Sequence, residues 1–302
     1  KVYVAEENDR IIGSICVSPQ EVYAGGEIVP LCYIGDFKVD EEYRNKGIGL
    51  QLCNNVADYV IARNADFAFL NVSKGNTKPF SFFKNRPNIP DFENIGIFNI
   101  HQIIGKKIKP KTTGYSIEET ALNEEVLQFF QFHYRNYQLG PVLTTGNFSS
   151  SRIFIIRDTG KLIAAMCLVD TMPVKQNVIT SLSWKMKWVL KIINWYSSLA
   201  GLSKMPVLNE PVKMLYIKYL AVDAKSRPVV KQLINFARNI AFEKSCSYVS
   251  IGLHERDEYN QCLAGLPKLT FRSVGMLLNV KNNPDLMHTV KEGVPFEDYS
   301  LV

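Results

Sequence analysis

Histidine and tryptophan are scarce in this chain, four and three in 302 residues, and the six cysteines stand far apart. Cys16, Cys32, Cys53, Cys167, Cys246 and Cys262 form no Cys-x-x-Cys pair, and no histidine lies at metal-ligand spacing. That excludes a zinc ribbon, a zinc finger and a redox dithiol, so no metal is expected. Most of the cysteines sit in apolar runs, the pattern of buried thiols in a reducing compartment. No run of eighteen apolar residues occurs, so stable membrane insertion is not expected. With no signal-peptide pattern either, the expectation is a soluble, cytoplasmic protein. The chain opens on Lys1, already in a strand pattern and without Met, as a trimmed sequence would. The positive excess is small, +6 with a pI near 8.9. It suits a polyanionic ligand and is too weak to argue for nucleic acid.

Hydrophobic residues make up 46% of the chain, enough for one large domain or two ordinary ones. Val2–Ala5, the turn Glu7-Asn8-Asp9-Arg10 and Ile11–Val17 read as a hairpin. Gly25-Gly26-Glu27 turns the chain into a third strand, Ile28 to Val39. The central motif follows, Asp36-Phe37-Lys38-Val39-Asp40-Glu41-Glu42-Tyr43-Arg44-Asn45-Lys46-Gly47-Ile48-Gly49-Leu50-Gln51-Leu52. It starts as an alternating strand, passes a charged turn and two glycines, and enters a helix whose Ile48, Leu52, Val56 and Tyr59 form one apolar stripe. The first N–H groups of a helix lack intrahelical acceptors and the dipole favours an anion there. Gly47 and Gly49 open the backbone to a phosphate, and Arg44 and Lys46 add positive charge. Asp66 to Val72 reads as a short buried strand, Pro79 to Lys84 as a helix, and Ile95 to Ile104 as a closing hairpin. Ile104 to Gly114 reads as a linker, followed by a helix over about Glu118 to Tyr137.

The chain then repeats itself. Ile153 to Leu168 matches Val2 to Val17 in character at each position, and Tyr219 to Arg227 matches Asp36 to Arg44. The offset is 151 at the hairpin (Val2 to Ile153) and 183 at the strand (Val39 to Val222), so the second copy carries an insertion of 32 residues. Tyr248 to Leu253 reads as the buried strand of this copy and Phe271 to Val280 as a later one. The insertion holds Trp184, Trp188 and Trp195 on one helical face with Ile192 and Leu199, while Lys185, Lys187 and Lys191 lie off it. Such a helix either lies on a membrane surface or, the commoner case, packs its aromatic face on its own domain or a partner.

Arg-x-x-Gly-x-Gly directly after an apolar strand resembles the acyl-CoA loop of the GCN5-related N-acetyltransferases, the GNAT superfamily. The fold class this implies is α/β (α+β), two tandem GNAT-like domains, each a mixed, mostly antiparallel twisted sheet flanked by helices. The first would span 1–110, without the family's opening strand and helices, and the second 111–302, with the insertion at about 175–210. The resemblance implies an acetyl-CoA-dependent N-acetyltransferase in which a primary amine attacks the thioester directly. Coenzyme A would lie along Phe37, Lys38 and Val39, with its pyrophosphate on Arg44, Asn45, Lys46, Gly47, Ile48, Gly49 and Leu50. The Val39 backbone would polarise the thioester carbonyl.

The turn at Asn76 followed by Phe83 resembles the second CoA-contacting segment; Phe83 stands where a proton-donating tyrosine often is, and Pro87-Asn88 replaces the usual Gly-aromatic ending. Asp36 is the candidate general base, with Glu27 and Glu41 weaker candidates. His101 and His254 are assigned no role. In the second copy Gly47 becomes Val230, Gly49 becomes Gln232 and Asn45 becomes Pro228, so only the first copy keeps the cradle. The second would be a scaffold, an acceptor-side wall or a dimerisation surface. The acceptor would be a small-molecule or peptide amine, and a homodimer is open. Two rival readings stay open: a non-catalytic acyl-CoA-binding or regulatory module, and a transferase using an aminoacyl or long-acyl donor.

Overall fold

The computed structural model describes residues 1–76, 91–108, 115–223 and 228–300. The expected helix at Pro79–Lys84, together with Phe83, Pro87, Asn88 and Arg227, lies outside them. The architecture is α/β, mostly antiparallel strands flanked by helices. The chain forms two compact units: residues 1–98, 135–142 and 272–296 make the first, and 99–134, 143–271 and 297–302 the second.

In the first unit, β1 (Val2–Glu7), β2 (Arg10–Ala24) and β3 (Glu27–Val39) pair antiparallel in sequence order. Asn8 and Asp9, at φ 50° and 60°, close the first hairpin, and Gly25 and Gly26, at 61° and 85°, close the second. Two consecutive left-handed residues give the turn whose twist matches the flanking strands. The chain then enters α1 (Ile48–Ala62) and returns as β4 (Phe67–Ser73), parallel to β3. Leu52, Val56 and Val60 of α1 are buried with Ile15, Val17 and Cys32 of the sheet, and Ile48 and Tyr59 pack at the margin. Burying each such side chain contributes about 1.5–3 kcal/mol. Gly13 of β2 permits the close approach: a Cβ there would stand 3.1 Å from Leu52 Cδ1 and 3.2 Å from Ile48 Cγ2. The next strand is β5 (Glu93–Ile104).

The second unit repeats this order. β6 (Ile117–Thr120) precedes α2 (Glu124–Tyr134), where one long helix was expected from Glu118. The four residues are drawn into the sheet by pairing with β8 (Ser151–Asp158), where Glu119 meets Arg152 at 2.7 Å. Asn123 accepts the Val126 N–H and starts the helix after them. The two-residue strand β7 (Gly140–Pro141) belongs to the first unit and pairs with β2. β8, β9 (Lys161–Asp170) and β10 (Met214–Val222) pair antiparallel, then α4 (Pro228–Glu243) leads to β11 (Tyr248–His254), parallel to β10. Between β9 and β10 lies α3 (Trp184–Ala200), the helix of the insertion.

After the one-turn helix α5 (Tyr259–Cys262) comes β12 (Lys268–Asn279). Its expected place in the second copy is not what the structure shows: Ser273 to Asn279 pair antiparallel with Ser73 to Phe67 of β4 in the first unit. The short α6 (Pro284–Glu292) follows it in the same unit. Strand pairing thus places residues 272–296 in the first compact unit.

Candidate functional site

The site is built where β3 leaves its neighbour. The parallel register of β3 with β4 runs from Leu31 opposite Phe67 to Ile34 opposite Leu70, yet β3 continues to Val39. The parting coincides with a bulge on β3. Cys16 opposes Gly35 and Ser14 opposes Lys38, so three residue steps of β3 face two of β2. Asp36 takes the extra length at φ 51°, a conformation that Asp tolerates better than most residues. Ser14 Oγ donates to the Asp36 carbonyl at 3.3 Å.

The bulge sorts the expected site residues. Phe37 turns toward the α1 cluster. Asp36 and Lys38 are exposed, 69% and 75% at the side chain, and face each other at 3.1 Å. The Asp40 N–H donates to the Ile12 carbonyl at 2.8 Å, toward β2. Alternation then places the Val39 N–H and carbonyl on the opposite edge, the one β4 has left. Arg44 Nε reaches that carbonyl at 3.3 Å. The Val39 N–H thus faces the gap between the two strands.

A short 3₁₀ turn, Glu41–Tyr43, carries the chain from β3 toward the helix, with Asp40 accepting the Glu42 N–H and bound by Arg10 at 2.6 Å. Asn45 at φ 64° and Gly47 at φ 84° then bend the backbone into α1. Gly47 caps α1 with no side-chain bond, and a Cβ built on it would meet nothing within 4 Å. The first helical bond runs from the Gln51 N–H to the Gly47 carbonyl at 3.1 Å. The N–H groups of Ile48, Gly49 and Leu50 precede it and have no acceptor inside the helix. Three backbone donors at the positive end of a dipole, beside open space at Gly47, are an arrangement that favours a negative charge. The cations beside it are held lightly. Arg44 meets the exposed Glu41 at 2.7 Å, a surface pair worth about 0–1 kcal/mol, so it can be released to a phosphate. Lys46 Nζ stands 4.6 Å over the Tyr43 ring.

Asn76, by contrast, ends the turn after β4 with its N–H on the Ser73 carbonyl, and Phe83 lies outside the described residues. Glu27 opens β3, nine residues before Asp36 and about 30 Å away by strand rise, too far to serve the bulge. His101 is held between Thr270 and Asn260 at 2.9 Å each, a structural histidine. Among the described residues no group of His, Cys, Asp and Glu could hold a metal. Gly13, Ser14 and Arg10 were not read from the sequence; the only signal was a glycine in an apolar strand, which marks a close approach.

The second unit has the same parting and fills it. β10 pairs with β11 only from Met214 opposite Tyr248 to Tyr216 opposite Ser250, and a bulge at Lys218 follows. Lys218 lies 3.7 Å from the largely covered Asp298 and donates to the Asn147 carbonyl at 2.7 Å. Burial holds the Asp298 carboxyl above the usual range, against the pull of Lys218. The Tyr299 ring covers Gly252 of β11, where a Cβ would collide with it. At the helix, Val230 is 0% exposed and Gln232 donates its side-chain amide to the Tyr115 carbonyl.

Residues 1–86 match the acetyltransferase (GNAT) family. No curated protein sequence matches the chain. Among solved structures the chain is similar to Saccharomyces cerevisiae N-myristoyltransferase with bound myristoyl-CoA, at TM-score 0.58 and 11% identity over 95% of this chain and 73% of that one. It is also similar to a GCN5-related N-acetyltransferase from Anabaena variabilis ATCC 29413 (0.53, 13%, over 93% and 63%). A probable N-acyltransferase from Enterococcus faecalis V583 is a third such structure (0.51, 11%, over 93% and 62%). The chain spans less than two thirds of the last two. At these identities the likeness establishes the fold.

Proposed function

We propose, on the premise that residues 1–86 are a segment of the acetyltransferase (GNAT) family and that the whole chain has the fold of its members, that this protein is an acyl-CoA-dependent N-acyltransferase with one working site, in its first unit. The observation that supports this reading most is the open start of α1 beside the parted edge of β3. Three unsatisfied N–H groups and a bare Gly47 would take the pyrophosphate. The pantetheine arm would run along Phe37 to Val39, and the Val39 N–H would polarise the thioester carbonyl.

The donor we propose is acetyl-CoA and the acceptor a primary amine of a small molecule or peptide. The amine attacks the carbonyl carbon, the C–S bond breaks and CoA leaves as a thiolate, which water can protonate because a thiol near pKa 8.5 is a good leaving group. Asp36 would take the proton of the amine directly or through one water. Arg44, Asn45, Lys46 and Leu50 would line the phosphates, with Asn76 and Phe83 beside the arm. The second unit we read as a second GNAT-like domain that has lost its cradle. Six cysteines without a disulfide fit a reducing, cytoplasmic setting.

The test is release of CoA from acetyl-CoA and from a long-chain acyl-CoA, each against a panel of primary amines. The long-chain donor is included because one neighbouring structure holds myristoyl-CoA. Turnover with acetyl-CoA supports the proposal; turnover with the long-chain donor alone changes the acyl group; binding without turnover leaves a non-catalytic module.

A further inference from the structure

Helix α3 has two unlike faces. On one, Leu190 and Ile193 pack against Met205, Val212, Met214 and Tyr248, and Asn194 Oδ1 accepts the Met205 N–H at 2.6 Å. These contacts fix the helix on its own unit. The other face, which the sequence pattern expected to be covered, is open. Trp184, Trp188, Trp195 and Leu199 are 69%, 61%, 70% and 74% exposed, and Ile192 stands bare among them. At 100° per residue these five side chains fall within one quarter of the helix circumference.

Lys185 borders this stripe on one edge, and Lys187 and Lys191 on the other. The ammonium groups of Lys185 and Lys191 lie 5.7 and 5.4 Å over the rings of Trp184 and Trp188. No acidic residue occurs in the seventeen of α3.

We propose that α3 is a membrane-surface anchor that lies in the plane of a bilayer with anionic headgroups. The aromatic stripe would sink to the boundary of headgroups and acyl chains, and the flanking lysines would meet lipid phosphates. Among the described residues no helix is long and apolar enough to cross a membrane, so α3 would lie on the bilayer rather than span it. The composition argues against a protein partner, because lysine is depleted in protein interfaces whereas here it borders the apolar stripe on both sides. It argues against a second copy as well: two such faces would oppose six lysines without an acid on either helix.

All three tryptophans of the chain lie on α3, so selectively excited tryptophan fluorescence reports on this helix. The experiment floats the full chain with vesicles of phosphatidylcholine and with vesicles containing phosphatidylglycerol, while recording emission and quenching by brominated lipid. The expected result is binding to the anionic vesicles, emission moved to shorter wavelength, quenching from within the bilayer and release by high salt. Trp188→Ser with Trp195→Ser should weaken binding at least tenfold, and Lys185→Glu, Lys187→Glu and Lys191→Glu together should remove the preference for anionic lipid. Thermal unfolding like that of the parent shows that each variant folds. Absence of binding to either vesicle, or undiminished binding by the tryptophan variant, overturns the proposal. So does a lipid-free dimer that the same substitutions dissolve, since it assigns the face to a second copy.

Discussion

Asn45–Gly47 and Pro228–Val230 hold corresponding places in two strand-to-helix passages of one chain, and they end differently. In the first unit the three residues are loop, with two left-handed conformations, and α1 begins only at Ile48. In the second they are already helix: α4 begins at Pro228. Proline suits a first helical turn because its missing N–H is an orphan there anyway. Val229 and Val230 then drop into the core, whereas Gly47 faces open space. One helix start has been given to packing and the other kept open at some cost in backbone strain. The parted strands show the same division, since Asp298 and Tyr299 occupy the gap of the second unit. A strand-to-helix passage can thus keep its sheet and helix while a change of three residues decides whether the helix N-terminus stays open or is packed.

The comparison is broken most strongly from the packed side. Val230→Gly removes a fully buried side chain and puts glycine in a helix, and should cost about 3.5 kcal/mol by denaturant unfolding while leaving acetyl-CoA affinity unchanged. A gain of a second binding site in this variant would show that side-chain bulk alone closed the second cradle.

The packed unit should also be the acid-sensitive one. His133 lies between Tyr134 and the stacked Tyr259, and burial pushes its pKa down to about 4. The unfolded chain takes up this proton near pH 6.5 while the folded chain refuses it until about pH 4. The stability that neutral His133 permits is therefore complete above pH 6.5 and falls by about 3 kcal/mol as pH drops toward 4. Denaturant midpoints across that window should lose much of their slope in His133→Gln; an unchanged slope would assign the acid sensitivity elsewhere.

On the open side, Asp36→Asn keeps a residue that tolerates positive φ and removes the carboxylate. Turnover should fall about a hundredfold with cofactor affinity nearly intact, and unchanged turnover across pH would remove Asp36 as the base. The smallest effect is the most local. Gly47→Val forces a branched side chain into φ 84° and into the open space of the cradle, and should raise the Kd for acetyl-CoA at least tenfold.

The strand–loop–helix passage was legible because its signals are local: alternation in β3, glycines at the turn, one apolar stripe in α1. The repeat was legible for the same reason, down to the two-residue turns at Asn8-Asp9 and Thr159-Gly160. What escaped is non-local. Nothing in the residues of β12 says that they pair with β4 rather than within their own half, since either partner offers a buried apolar edge. The bulge at Asp36 is a backbone event that periodicity does not encode, and it decides which edge Val39 offers to a ligand. The spacing of the tryptophans showed a stripe on α3 but not whether anything covers it. Ile117–Thr120 went to a strand because pairing with β8 outweighed helix propensity in a run rich in glutamate.

The central claim is that one cradle of the two is open. Calorimetric titration of acetyl-CoA into the full chain tests it most directly. One site per chain is the expected stoichiometry; two sites, or none, would contradict the account.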